Sequence, residues 1–395
     1  MRIITNKKLG ASRAIPRVIA HLDMDAFFAA VEERDTPQWR GLPIVIGADP
    51  QKGKGRGVVS TANYRAREYG IKSALPINKA WQFSEWAKQR GEPGAIFVEP
   101  DIKKYERVSG KIIEIARSIL RKQSENFNMV KSDFKREVRL PKIEVASIDE
   151  IYFDLSFIGS YKKAREICEK IKKEIKKKEK LTCSIGIGPN KLIAKIASDL
   201  EKPDGLTVVE EKKVAEFLEN MAIRKIPGIG PKTEIKLHGI GAVFIKDLKK
   251  KSLSELKEKF GKWGEDMFYK AQGIDNSPVE EFYEAKSIGE QETFPKDTLE
   301  ANYILERLGL MCENISKKVK NEGFKNFRTI VITVRFAGFI TKTRSYTLKK
   351  PANSLTELKR ETIKLLMPFL DKRENPQMKK IRLIGARVEK LKQIL

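Results

Sequence analysis

Carboxylates carry the chemistry open to this chain. His21-Leu22-Asp23-Met24-Asp25-Ala26-Phe27-Phe28 follows the apolar run Val18-Ile19-Ala20. Ala146-Ser147-Ile148-Asp149-Glu150-Ile151-Tyr152 follows Ile143-Glu144-Val145. Both leading runs read as β-strands. Asp23 and Asp25, two apart, share a face if the strand continues, whereas adjacent Asp149 and Glu150 reach one site only at a strand end or bend. Carboxylates at strand ends are costly unless solvated or bound to cations. Three or four that converge offer hard oxygen ligands to divalent ions, and two such ions roughly 3.5–4 Å apart clamp an in-line phosphoryl displacement. Taken singly, each acidic pair is more simply a set of turn or cap carboxylates. Together, in a basic chain, they put a metal site on an equal footing.

Other residues bear on what is transferred. In Thr61-Ala62-Asn63-Tyr64-Arg65-Ala66-Arg67, Tyr64 and Arg67 are neighbours on one helical face and suit a polyphosphate; a solvated helix start is the plainer alternative. Gly186-Ile187-Gly188-Pro189-Asn190-Lys191 opens a helix after a strand, so its amides and Lys191 could hold phosphate, or it is an ordinary turn. It does not fit the P-loop template, which disfavours a generic ATPase. Ile226-Pro227-Gly228-Ile229-Gly230-Pro231-Lys232-Thr233, continuing to Gly239-Ile240-Gly241, reads as a helix-hairpin-helix that grips DNA backbone, with Lys225 and Lys232 flanking it. Gly53-Lys54-Gly55-Arg56-Gly57 reads as a flexible turn. His21 and His238 are the only histidines, so a Ser-His triad is close to excluded.

The elements that must position these groups are legible in outline. From Arg17 to about Leu200, strands such as Pro43–Gly47 and Gly57–Thr61 alternate with helices over Tyr105–Lys122 and Tyr161–Lys180. The polar stretch Ser124–Pro141 reads as a loop or hairpin extension. Glu210 to Gly273 suggests a small helical unit, and Asn276–Ala285 a linker. Beyond it, Ser287–Phe294, Thr329–Phe336 and Lys380–Val388 read as strands, with helices over Leu299–Lys320 and Leu355–Leu370. In Thr329–Phe336 the apolar residues alternate, as in a sheet buried on one side.

A chain of 395 residues is long enough for two to four domains. Its 79 Lys+Arg against 53 Asp+Glu give a net charge of +26, which favours a polyanionic partner. Residues 328–395 alone carry 17 Lys/Arg against 5 Asp/Glu. No apolar run approaches a membrane span, and Met1–Pro16 lacks the core of a signal peptide. Three widely spaced cysteines fit a reducing intracellular compartment.

At this point the sequence resembles the Y-family translesion DNA polymerases, in the DinB-like branch of archaea and bacteria. The resemblance rests on LDMDAFFAAVEE, VVSTANYRAREYGI, ASIDEIYFDLS, CSIGIGPNKLIAKIASDLEKPDGL, IPGIGPKT, KSIG and IRLIGARV, in order from about Arg17 onward. It implies an α+β multidomain right hand: palm (1–26 and 98–198), fingers (27–97), helical thumb (199–275), linker (276–285) and an α+β little finger (286–395). It implies Asp23, Asp149 and Glu150 as catalytic carboxylates, binding two Mg²⁺ (Mn²⁺ substituting) with the Met24 carbonyl. Phe27, Phe28, Thr61, Tyr64, Arg67 and Lys191 would bind the nucleotide, Phe28 as the steric gate against a 2′-hydroxyl. Gly228, Gly230, Lys232, Arg335, Arg344 and Arg382 would contact DNA.

The implied enzyme is a template-directed, low-fidelity polymerase acting on primer–template DNA and dNTPs, monomeric, cytoplasmic and nucleoid-associated. The chain departs from the family pattern in residues 1–16 and in the extra stretch around Ser124–Pro141. Its end, Lys392-Gln393-Ile394-Leu395, lacks a complete Gln…aromatic-aromatic tail, which leaves a sliding clamp an open partner. A DNA-binding scaffold, a two-metal nuclease and a transferase restricted to deoxycytidyl groups remain as rivals. The first would not need the acidic triad, and the second gains nothing from Tyr64, Arg67 and a gate.

Overall fold

A computed structural model describes residues 16–129, 141–282 and 284–393. Residues 1–15, the stretch 130–140, Tyr283 and the last two residues, Ile394 and Leu395, lie outside the described residues; most of each departure, at residues 1–16 and at Ser124–Pro141, falls there. Two compact units divide the chain: residues 1–53 with 58–282, and residues 54–57 with 283–395.

In chain order the first unit runs β1 (Ile19–Met24), α1 (Phe27–Asp35), β2 (Ile44–Gly47), β3 (Val59–Ala62), α2 (Tyr64–Glu68), α3 (Ile77–Gln89), β4 (Ile96–Val98) and α4 (Ile102–Met129). It continues with β5 (Ile143–Val145), β6 (Glu150–Asp154), α5 (Tyr161–Glu179), β7 (Cys183–Gly188), α6 (Lys191–Ser198) and β8 (Leu206–Val208). Five helices close it: α7 (Val214–Glu219), α8 (Pro231–His238), α9 (Ile245–Lys249), α10 (Leu253–Phe260) and α11 (Lys262–Ala271). Helix α4 continues through Ser124 to Met129, where the sequence suggested a loop. No Pro or Gly interrupts that stretch, and helix growth is cooperative once begun.

A five-stranded sheet, ordered β5-β6-β1-β7-β8, holds the unit together. Strand β1 is antiparallel to both neighbours and buried along its whole length. Period-two alternation sorts its side chains. Ala20, Leu22 and Met24 join the main core, with Val108, Ile112, Ile167 and Ile171 of α4 and α5. Ile19 turns the other way and packs with Tyr152 and with Ala194 of α6. The same parity sends His21 and Asp23 to the α6 side. Helix α6 lies so close to β7 that a Cβ on Gly186 would come 2.0 Å from the Ala194 carbonyl oxygen, so glycine is required there. A smaller sheet, β3-β2-β4, sits beside α1, α2 and α3, and α7–α11 form a helical cluster on their own core around Leu218, Ile223, Leu237, Leu248 and Met267.

The second unit holds β9 (Ser287–Thr298), α12 (Ala301–Asn321), β10 (Phe324–Phe336), β11 (Thr341–Ala352), α13 (Leu355–Leu370) and β12 (Ile381–Glu389), with a short β13 (Lys392–Gln393). Its sheet order is β11-β10-β12-β9. Ile330, Ile332, Val334 and Phe336 pack with Leu308, Ile315 and Leu366 of the two helices. Strand β11 escapes sequence reading because Thr341-Lys342-Thr343-Arg344-Ser345 shows no apolar alternation. An edge strand buries little and can be polar on both sides.

Candidate active site

The carboxylates meet where strands end. Strand β1 stops at Met24, and Ala26 in a left-handed conformation (φ 47°) turns the chain into α1. Strand β6 starts at Glu150, which lies directly opposite Asp23. The Met24 amide donates to the Asp149 carbonyl at 3.0 Å, bringing Asp149 alongside. The bend before β6 is tied by Ser147, whose Oγ donates to Asp149 Oδ1 at 2.5 Å and accepts from the Glu150 amide at 3.0 Å. Adjacent carboxylates thus share one end of the sheet. A regular strand would send them to opposite faces.

Ammonium groups already stand on two of them. Lys202 Nζ is 2.8 Å from Asp23 Oδ1 and 3.0 Å from Asp199. Lys195 Nζ is 2.5 Å from Glu150 Oε2. Burial raises the Asp23 carboxyl to about 6, with Lys202 opposing the rise. Glu150 is held down to about 2, by the His21 imidazole first and then by Lys195, against its burial. His21 Nε2 stands 3.6 Å from Glu150 Oε2, too long for a hydrogen bond, and burial lowers the His21 pKa so that the ring is neutral; the close Lys195 ammonium is therefore the firmer hold on Glu150. Among the described residues no three carboxylates, histidines or cysteines are gathered tightly enough to hold an ion; the lysines and Ser147 hold the three acids instead. The donor set still fits hard divalent cations. It is all oxygen, lies on facing strand ends, and already draws positive charge.

A buried acid with a raised pKa weakens the fold when ionised. Its favourable contribution is complete below the unfolded value of 3.8 and is lost as pH rises through 6. Asp23→Asn is therefore expected to stabilise the metal-free protein by about 1–3 kcal/mol at pH 8, read as a higher melting temperature. The gain should vanish near pH 4. A lower melting temperature at pH 8 would mean that the Lys202 pairing outweighs the burial.

Asp25 does not join Asp23. It lies beyond the strand, 3% exposed, and its two oxygens accept from Ser184 Oγ and the Asp204 amide, both at 2.8 Å. It anchors the turn that carries Lys202. That lysine has no assigned role on sequence grounds; the available signal, the Lys202-Pro203-Asp204-Gly205 turn, says nothing of Asp23.

Tyr64 and Arg67 face this centre. Asn63 caps α2, accepting from the Ala66 amide and from Ile44, and donating to the Leu42 carbonyl. The Arg67 guanidinium stacks over the Tyr64 ring at 4.7 Å and is oriented by the Ala62 carbonyl at 2.9 Å. The Tyr64 hydroxyl is buried with no hydrogen-bond partner among the described residues. Burial pushes its pKa up, with Asp25 and Asp23 adding and Arg67 and Lys202 opposing. Thr61 sits half-buried on β3, two residues before the cap.

Phe28 stacks on Tyr105, with centroids 4.2 Å apart and planes 13° apart. The Tyr105 hydroxyl donates to Glu32 at 2.8 Å, and Lys104 holds the same carboxylate. Phe27 differs from expectation. It is 2% exposed within the main core, so its ring is not available to a nucleotide; as the first residue of α1 it faces the sheet.

Lys191 also differs. Its ammonium is 2.6 and 2.8 Å from the two oxygens of Glu144 and lies over the Tyr152 ring at 4.8 Å. The amides of α6 expected to hold phosphate are taken as well: Leu192 donates to Asp275 and Ile193 to Asn190. Glu144 further accepts from the Glu280 amide at 2.9 Å, and Arg17 binds the Asp275 and Ser277 carbonyls. With Val279 buried beside Ile19 and Tyr152, the first half of the expected linker is fastened to the sheet.

The expected DNA contacts divide. Gly228 takes φ 97°, and a Cβ there would come 2.3 Å from the Trp263 ring. Gly230 caps α8, and Lys232 is the second residue of that helix. The expected first helix of the hairpin is only a single 3₁₀ turn, Ile223–Lys225. In the second unit Arg335 lies opposite Thr341 and bonds its Oγ1 at 2.9 Å, on the sheet face away from α12 and α13. Arg344 pairs with Ile332, on the opposite side, and meets Glu374 at 3.6 Å. The alternation that buries Ile332 thus takes Arg344 off the open face. Arg382 lies over the Phe339 ring.

Three family models match the chain: "impB/mucB/samB family" over residues 22–132 and 120–199, its C-terminal domain over 285–394, and "DNA polymerase-iota, thumb domain" over 224–275. "DNA polymerase IV 2" of Methanosarcina mazei is 38% identical, covering 95% of this chain and 93% of that protein. "DNA polymerase IV" of Streptococcus gordonii is likewise 38% identical, over 94% and 96%. Among solved structures, a "Y-family DNA polymerase chimera Dbh-Dpo4(243-245)-Dbh" superposes with a TM-score of 0.78 at 30% identity, covering 95% of this chain and 99% of that one. The "insertion ternary complex of Dbh DNA polymerase" gives 0.61 at the same identity, over 95% and 100%.

Proposed function

The chain belongs to the impB/mucB/samB family, the Y-family DNA polymerases, and is a template-directed translesion DNA polymerase; we propose that its chemistry runs on Asp23, Asp149 and Glu150. The observation that carries this reading is Asp23 opposite Glu150, with the buried, unpartnered Tyr64 hydroxyl, Arg67 and Lys202 facing the same spot. Such polymerases are metal-dependent; Mg²⁺, two per site with Mn²⁺ as substitute, is the proposed ion, held by the three carboxylates and the Met24 carbonyl. When bound, the ions would activate the primer 3′-hydroxyl and offset charge on the triphosphate.

The rest falls to the chain's own groups. Tyr64 would donate to a phosphate oxygen, and the terminal nitrogens of Arg67 would bind another. Lys202 would leave Asp23 for the triphosphate as the cations take that carboxylate. Phe28 would lie beneath the sugar. Thr61 is kept as a proposed triphosphate contact at the end of β3.

The proposed divisions are palm 1–26 and 98–198, fingers 27–97, thumb 199–275, linker 276–285 and little finger 286–395. The enzyme is proposed to act as a cytoplasmic, nucleoid-associated monomer on primer–template DNA and dNTPs. No described helix is long and apolar enough to cross a membrane. The hairpin at Gly228 and Gly230, with Lys232, would hold duplex backbone, and the open sheet face bearing Arg335 would lie on DNA.

Primer extension with each dNTP singly and together, on undamaged and abasic templates, tests the activity. Template-directed addition continuing past the abasic site is expected, and shortening of the primer would point to a nuclease instead.

The two lysines should separate by measurement. Lys202→Ala is expected to raise the dNTP KM about tenfold or more, the loss of one charge-assisted phosphate contact. Lys191→Ala should leave that KM near wild type but lower stability by about 2–4 kcal/mol, because buried Glu144 would lose the cation that balances it and keep only the Glu280 amide. The reverse pattern would restore Lys191 as the phosphate ligand.

A further inference from the structure

The hairpin between β10 and β11 carries an unusual tip. The Phe339 amide donates to the Phe336 carbonyl at 3.1 Å and the Phe336 amide to the Ile340 carbonyl at 2.8 Å, closing a four-residue turn. Gly338 and Phe339 both take left-handed φ, 80° and 64°. Glycine adopts that conformation freely, whereas an aromatic residue there is strained. The strained residue is also one that burial does not explain. Phe339 is 66% exposed, and Ile340 beside it 46%.

What the ring touches is a cation. The Arg382 guanidinium lies 4.6 Å from its centroid, so one face of the ring is backed by Arg382. Arg335, the penultimate residue of β10, lies on the open face of the sheet next to the turn, whereas Lys342, opposite Val334, faces the other side and is held by Glu374. Acids are present too: Asp297 stands 3.9 Å from Arg382, and Glu374 binds Lys342 and Arg344. An exposed ring backed by a guanidinium, with Arg335 on the open sheet face nearby, suits a planar π-surface attached to phosphates.

Resting on the polymerase reading, we propose that Phe339 is a stacking platform for an unpaired nucleobase of the single-stranded template, with Arg382 bracing the ring and meeting the adjoining phosphate. The stack is indifferent to sequence, because every base presents a π-face. It would hold the template strand whether or not the base is damaged.

The test uses the full chain and two DNAs with the same duplex, one blunt and one with a 5′ template overhang containing 2-aminopurine. Wild type is expected to prefer the overhang and to change the fluorescence of the reporter base. Phe339→Ala should lose about tenfold of that preference, with blunt-duplex affinity unchanged. Phe339→Trp should keep it, and Phe339→Leu, apolar but not aromatic, should lose it as alanine does. Retention by the leucine variant would overturn stacking in favour of plain apolar contact, such as a protein partner makes. Equal weakening on both DNAs, or no change with alanine, would also overturn it. Failure of wild type to bind either DNA would instead sink the polymerase reading on which the proposal stands.

Discussion

Asp149→Ala is expected to lower primer extension on the order of a thousandfold or more, the scale of losing a group that acts on charge developing in the transition state, while primer–template binding stays largely intact. The carboxylate is half-buried at the bend before β6, and among the described residues its side-chain partner is Ser147 on the same bend. Nothing in the sheet leans on it, so the melting temperature should move little, within about 0.5 kcal/mol of stability. The contrast is Asp25→Ala. There a buried carboxylate ties Ser184 and the Asp204 amide, and its removal should cost about 2–4 kcal/mol. If Asp149→Ala instead abolished DNA binding or melted early, Asp149 would be a structural acid, and the site would rest on Asp23 and Glu150 alone.

The second large effect is expected at Phe28. Phe28→Ala should raise ribonucleotide use relative to deoxyribonucleotide use by about a hundredfold, near 2.7 kcal/mol of discrimination. The reason lies beneath the ring. Phe28 is stacked flat on Tyr105, which is fully buried and fixed through its hydroxyl to Glu32. A ring so backed cannot withdraw from an added 2′-oxygen without disturbing α1 and α4 together. The readout is the ratio of kcat/KM for a dNTP and its ribonucleotide counterpart. An unchanged ratio would remove Phe28 as the gate, leaving its stack with Tyr105 as packing.

Much of this protein can be read from its sequence, for reasons local to the chain. The runs before Asp23 and Glu150 have strand chemistry, and the parity of β1 follows from alternation alone; it sends Leu22 to the core and Asp23 away from it. The Tyr64–Arg67 spacing is helical, and the helix has a side-chain cap in Asn63. Residue type, order and family resemblance single out Asp23, Asp149, Glu150, Tyr64 and Phe28, whose roles stand as proposals.

Tertiary structure decided which cation serves which acid. Lys191, Lys195 and Lys202 lie within a dozen residues and look interchangeable in sequence. Along α6 and the turn after it they point to Glu144, Glu150 and Asp23 in succession. That choice depends on how closely α6 lies on β7, set by Gly186, and on Asp25 pinning the turn at Asp204. Likewise, Arg344 leaves the open face because β11 pairs in one register with β10, Arg344 opposite Ile332. The bond from the Glu280 amide to Glu144 joins residues more than a hundred positions apart. Periodicity reports which side of its own element a residue occupies; only the packing of elements against one another reports what waits there.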